Sequence, residues 1–257
     1  MTVPSRPHVA HASPGGAKRL LVVVNAGVVL YLLLDIIAQI LPPHYNPIST
    51  AESDLAVGPY GYIMTLNFVN RGLLSLAFLY GLVRSLRLRG IGTGKYSSGV
   101  YLLGVWAVGA LLLAVFPTDV PAAPVSWHGA VHLVVALLAF LGGALGVLRL
   151  SLRFGDDPAL RAARRVALPL AGIAILFLVL LFGLPFVIPQ LAARIGGLTE
   201  RVLIGSVLVW ILMVSVYLER GGDQCRSSLL RSNPSSVPSA QYPASERAFT
   251  IASPILL

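Results

Sequence analysis

Charge is what this chain has least of. Only 11% of its 257 residues are Asp, Glu, Lys or Arg, where a soluble domain carries roughly a quarter. With 56% hydrophobic residues and a mean hydropathy of +0.81, that shortage excludes an ordinary water-soluble fold. Cysteine is almost missing too. Cys225 stands alone, which rules out an internal disulfide. No internal repeat is visible. The net charge of +9 does not point to nucleic acid, because the basic residues form no single face and fall instead between apolar runs.

What the chain does have is long apolar runs. Six spans are expected, at about 20–41, 59–83, 98–116, 127–150, 166–187 and 200–218, since roughly 20 apolar residues cross the hydrocarbon of a bilayer. The first run exceeds the ~7–15-residue core of a secretory signal and is expected to be retained. Residues 1–17 and 219–257 are rich in Pro and Ser and read as disordered tails, apart from the apolar Ile251–Leu257. The expected fold is all-α: an integral-membrane six-helix bundle.

Lys and Arg are absent from the links at 42–58 and 117–126. They gather in the N-tail (Arg6, Lys18, Arg19), the second link (Arg84, Arg87, Arg89, Lys95), the fourth link (Arg149, Arg153, Arg161, Arg164, Arg165) and the C-tail (Arg220, Arg226, Arg231, Arg247). The fifth link departs from this with Arg194 and, at its edge, Arg201; the nearly complete alternation puts both termini in the cytoplasm. The basic links also suit the anionic headgroups of membrane lipids.

Two polar islands, Pro42–Tyr60 and Pro117–His132, then fall together on the outer face. In the first, Ser49 and Glu52 fit a capping box, which predicts a short interfacial helix over 49–56. Ser53 and Asp54 follow, and His44, Tyr45 and Asn46 precede. In the second, His128 and His132 lie four apart at a helix start, so they share one face. The helix dipole there disfavours imidazolium, and a neutral imidazole is what a metal needs. With Asp119, and with Glu52, Asp54 or His44 as further ligands, these residues suit a zinc-like N/O site. Such a metal would activate water; alternatively a histidine would polarise Ser53 as nucleophile. A plainer reading fits the same residues: a solvated, capped loop and a hydrogen-bonded histidine pair at the headgroup boundary.

Polar residues also sit inside the spans. Asp35 lies near the end of the first, and Asn67, Asn70 and Arg71 share a face of the second. An unpaired guanidinium at that depth costs at least about 2.5 kcal/mol on insertion scales. Arg71 is therefore expected to face the bundle and pair with Asp35, or else with Asp54 or Asp119.

Through NPISTAESDLAVGPYG (Asn46–Gly61), FPTD (Phe116–Asp119) and HGAVH (His128–His132), the chain resembles the bacterial membrane family known as domain of unknown function 998, from about Leu20 to Leu218. The resemblance implies a six-helix inner-membrane protein with polar motifs on its outer side. By residue type, the Ser, Asp and paired His are also similar to the alkaline ceramidase and adiponectin-receptor superfamily of metal-dependent membrane hydrolases. Those proteins carry H-x-x-x-H in the last of seven spans, whereas here it opens the fourth. Three functions stay open at this point. One is hydrolysis of a lipid or lipid-linked substrate. A second is proton-linked or small-solute transport past Asp35, Asn67, Asn70 and Arg71. The third is a non-catalytic membrane partner or scaffold.

Overall fold

Each apolar run becomes one helix, and the polar links set where it turns. The computed structural model describes the backbone of residues 14–231 and the side chains of residues 16–220; of the tails expected at 1–17 and 219–257, residues 1–13 and 232–257 lie outside the described residues. The helices are α1 (Pro14–Ile40), α2 (Gly61–Leu88), α3 (Ser97–Val115), α4 (Trp127–Phe154), α5 (Arg161–Val187) and α6 (Pro189–Arg231), with short 3-10 helices at Ser53–Val57 and Gly94–Tyr96. All six α-helices are long and apolar enough to cross a membrane. The chain divides into Met1–Gly222 and Asp223–Leu257; everything below concerns the first unit. The protein is all-α, and α1 and α6 run on into stretches expected to be tail.

Consecutive helices from α1 to α5 pack on one another, and α3 against α4 is the largest of these interfaces. Glycine makes that interface close. A Cβ on Gly142 would lie 2.6 Å from the Leu102 carbonyl oxygen, and one on Gly146 would lie 2.8 Å from the Leu103 nitrogen. Helix α5 buries only Ala163, Ala167, Ala171, Ala174 and Leu178. That is a single stripe at three- and four-residue spacing, small enough for a neighbouring helix to approach closely.

Helix α6 joins the bundle together. Trp210 meets Phe78 edge-on at 5.7 Å, stacks on Phe154 at 5.9 Å and donates its indole N–H to Ser151 Oγ at 2.8 Å. At the basic end of the bundle, Arg89 donates to the Leu218 carbonyl (3.0 Å), Tyr217 to the Ala159 carbonyl (2.7 Å) and Asn25 to Glu219 (2.7 Å). At the other, acidic end, Arg201 donates to the carbonyls of Pro47 (3.1 Å) and Thr50 (2.7 Å).

Two local structures depart from the expectations. The run expected to open near residue 200 is helical from Pro189, with Ile188 alone between α5 and α6. Proline suits a first helical position because its missing N–H would be unpaired there anyway. Glu200 and Arg201 consequently lie about three turns inside a helix rather than at its edge. The capping box does not form either. The Glu52 N–H donates to Glu200 and the Glu52 carboxylate receives the Tyr31 hydroxyl. With both halves of the box taken elsewhere, the segment is a five-residue 3-10 helix beginning at Ser53.

Candidate functional site

The acidic end holds a buried cluster drawn from four segments. Helix α1 brings Tyr31 and Asp35, one turn apart on one face. The first link brings Glu52, α2 brings Asn67, Asn70 and Arg71, and α6 brings Glu200 and Arg201. Glu52 and Arg71 are each 1% exposed, and Glu200 is 6%. Tyr31 donates to the Glu52 carboxylate, and the Glu52 N–H donates to Glu200 Oε2 at 2.8 Å. The Glu52 backbone therefore lies against the Glu200 carboxylate, which brings two acidic residues far apart in sequence together away from water.

The remaining polar groups divide into fasteners and one exception. Asn67 donates to the Tyr31 carbonyl (3.1 Å) and Asn70 to the Gly27 carbonyl (2.9 Å), so both amides clamp α2 to α1. Arg201 Nη1 anchors the first link through Pro47 and Thr50, while its Nε lies 3.8 Å from Asp35 Oδ2. Gln39 donates to the same Asp35 oxygen at 2.5 Å. The exception is Arg71. None of its three nitrogens has a hydrogen-bond partner among the described residues. The expected pairing with Asp35 does not occur: its Oδ2 faces Arg201 and Gln39, and its Oδ1 has no hydrogen-bond partner among the described residues; no ion pair links Asp54 or Asp119 to Arg71 either. In place of a carboxylate the guanidinium has rings. Its central carbon lies 4.7 Å from the Trp106 ring, 5.2 Å from Phe68 and 5.9 Å from Tyr31. The negative faces of these rings compensate part of its lost hydration. The field of Arg71 reaches Tyr31, His132 and Glu200.

The second link closes on itself. Asp119 accepts from the Ser126 N–H (2.9 Å) and from Ser126 Oγ (2.5 Å), and that hydroxyl in turn accepts from the Gly129 N–H (3.1 Å) as the α4 N-cap. These two Ser126 donors hold the Asp119 carboxyl below the usual carboxylate range. His128 Nδ1 lies 3.3 Å from the Pro117 carbonyl and 3.8 Å from Asp119 Oδ1. His132 Nδ1 lies 2.7 Å from the Phe116 carbonyl. A carbonyl only accepts, which assigns the His132 proton to Nδ1. Among the described residues no three His, Cys, Asp or Glu side chains converge on a metal position, so the zinc-like set His128, His132 and Asp119 is not assembled.

Ser126→Ala removes the cap and one Asp119 donor together, and is expected to cost about 1 kcal/mol, read from denaturant unfolding in detergent micelles. The clasp has a definite pH sense. Its contribution is complete above the ordinary Asp pKa and is lost as pH falls through the lowered value, so the Ser126→Ala deficit should shrink in acid.

The other residues singled out in the first link build local structure. His44, at a left-handed φ of 63°, turns Nδ1 to the Ile40 carbonyl (2.7 Å). Asn46 Oδ1 accepts from the Ile48 N–H (2.9 Å). Ser49 is exposed and Ser53 half-buried, and no histidine bonds to Ser53 among the described residues. Burial raises the Asp54 carboxyl above its ordinary value. Among the described residues no hydrogen bond or ion pair joins the two links. They share one end of the bundle, and the charge of Arg71 acts on both Glu200 and His132. Tyr31, Gln39, Glu200 and Arg201 complete the cluster without having been singled out in the sequence. Pro189 was the available signal for the last two, since a proline that opens a helix moves both inside it.

A family model described as "Protein of unknown function (DUF998)" matches residues 25–217, from within α1 to nearly the end of the bundle. No curated protein and no solved structure gives a match.

Proposed function

The chain belongs to the DUF998 family, and we propose that it is a proton-exchanging carrier of a bacterial inner membrane, with the acidic end facing outward and both termini in the cytoplasm. The orientation is supported by Lys and Arg, which are missing from the 42–58 and 117–126 links and gathered at the opposite end. The carrier reading rests on one observation: the buried Glu200 carboxylate accepts from the Glu52 N–H, and among the described residues no cation is bonded to the Glu52 or Glu200 carboxylate. Ionisable groups held at such depth mark ion or proton pathways. The pair takes up and releases a proton, and Tyr31, bonded to Glu52, is placed to pass it on.

Hydrolysis has less support. Among the described residues Ser53 lacks a bonded histidine. The Ser126 hydroxyl points its proton at Asp119 and serves as a helix cap.

Infrared spectroscopy on the protein in lipid nanodiscs tests the reading. Titration should reveal a protonated-carboxyl band that Glu200→Gln and Glu52→Gln each remove. In vesicles bearing a pH gradient, Glu200→Gln should cut proton entry to the level of empty vesicles. An identical band and identical flux in wild type and both variants would sink the proposal.

A further inference from the structure

Arg71 is a charged group that the proton-exchange reading leaves without a task. Its side chain is 1% exposed, and Nε, Nη1 and Nη2 all lack acceptors among the described residues. Even the nearest internal candidate is not used. Asn67 lies one turn away on the same helix, and its Oδ1 is also without a donor. A guanidinium is a planar fork of five N–H donors, shaped to grip two oxygens of a carboxylate or phosphate at once.

Several elements bring ionisable groups to its neighbourhood. Helix α1 contributes Tyr31 and Asp35, and the first link contributes Glu52. Helix α4 contributes His132, and α6 contributes Glu200 and Arg201. Helix α3 presents the Trp106 ring, which bears no charge. Asp35 and Arg201 face each other and cancel. That leaves Glu52, Glu200 and Arg71. With one proton on the carboxylate pair, the remaining negative charge balances Arg71. A second proton leaves the guanidinium with no counter-charge, in surroundings where an uncompensated ion is costly.

We infer that Arg71 binds a singly charged oxyanion, a carboxylate or a phosphodiester, taken up together with one proton on the Glu52–Glu200 pair. The inference rests on the proton-exchange reading of that pair and adds the ligand's chemical class and a one-to-one stoichiometry. A carboxylate would come from a small solute and a phosphodiester from a lipid headgroup.

Trp106 supplies a built-in reporter, because its ring lies 4.7 Å from the guanidinium carbon. Protein in dodecyl maltoside micelles, which carry no phosphodiester, is titrated with sodium acetate, over pH values where free acetate is ionised, and tryptophan emission is followed. A saturable change is expected, absent in Trp106→Phe, with apparent affinity rising about tenfold for each unit fall in pH, as one proton per anion requires. Arg71→Gln should abolish the titration. Arg71→Lys, which keeps the charge and loses the fork, should weaken it and guards against a folding failure in the first variant. His132→Gln should leave the pH slope intact and Glu200→Gln should flatten it.

A second arm replaces acetate by nanodiscs containing phosphatidylglycerol. A Trp106 change there that needs Arg71, with no response to acetate, supports the inference with the headgroup as ligand. The inference is overturned by no Trp106 response in either arm, by an acetate titration that survives Arg71→Gln, or by a pH slope that vanishes in His132→Gln. Any of these alongside an intact Glu200-dependent infrared band defeats the oxyanion and leaves the proton-exchange reading standing. Loss of that band as well defeats both.

Discussion

At a pH where the Glu52–Glu200 pair is fully protonated and Arg71 has no counter-charge, Arg71→Met is expected to raise the unfolding free energy by about 1–4 kcal/mol, the range in which apolar residues outdo buried charges. The argument rests on what the guanidinium lacks. It is fully enclosed, its three nitrogens bond to nothing among the described residues, and three rings surround it. Methionine fills a similar volume, and its thioether makes favourable contacts with aromatic rings. Glu52 and Glu200 keep their mutual backbone contact in the variant. A residue that weakens the resting protein while serving its ligand is an instance of stability given up for function. Denaturant unfolding in micelles, followed by far-ultraviolet circular dichroism, measures the change. Destabilisation by about 3–5 kcal/mol, the cost of breaking a satisfied buried pair, would instead make Arg71 a structural counter-ion.

The second large effect is at the α3–α4 interface. Gly142→Val and Gly146→Val should each cost about 3 kcal/mol, the upper end for overpacking. The atoms in the way are the Leu102 carbonyl oxygen and the Leu103 nitrogen, and backbone cannot rotate aside as a side chain can. Gly172, on α5, has nothing within 4 Å of where a Cβ would stand. Gly172→Ala should therefore stabilise by about 0.4–1 kcal/mol through the unfolded chain. Thermal melting in detergent compares the three. Wild-type melting in both valine variants would show that α3 and α4 do not approach as closely as described.

The sequence made some of this legible and hid the rest for physical reasons. Apolar length announces a span whatever its neighbours are, so six helices could be read directly. Ser126 before Trp127 marked the start of α4, because a cap is a local device. Glu52 looked equally local, but its two polar groups go to Tyr31 and Glu200, partners that exist only once the bundle is folded. The segment before Glu200 was expected to be a link between two spans and is helix instead. Gly197 is in fact where the first link lies against α6: a Cβ there would meet the Thr50 carbonyl and come within 2.8 Å of the Pro47 carbonyl oxygen. Arg71 showed that a deep guanidinium needs compensation. Counting carboxylates could not reveal that aromatic faces from α1, α2 and α3 supply it.

The single residue between α5 and α6 has a mechanical consequence. Ile188 leaves no slack at that turn, and α5 shows most of its surface to the surroundings while gripping α4 by one stripe. A bilayer that is too thin or too thick for α5 acts on its tilt. With so short a tether, that tilt is handed to the start of α6, and so to the segment that carries Glu200.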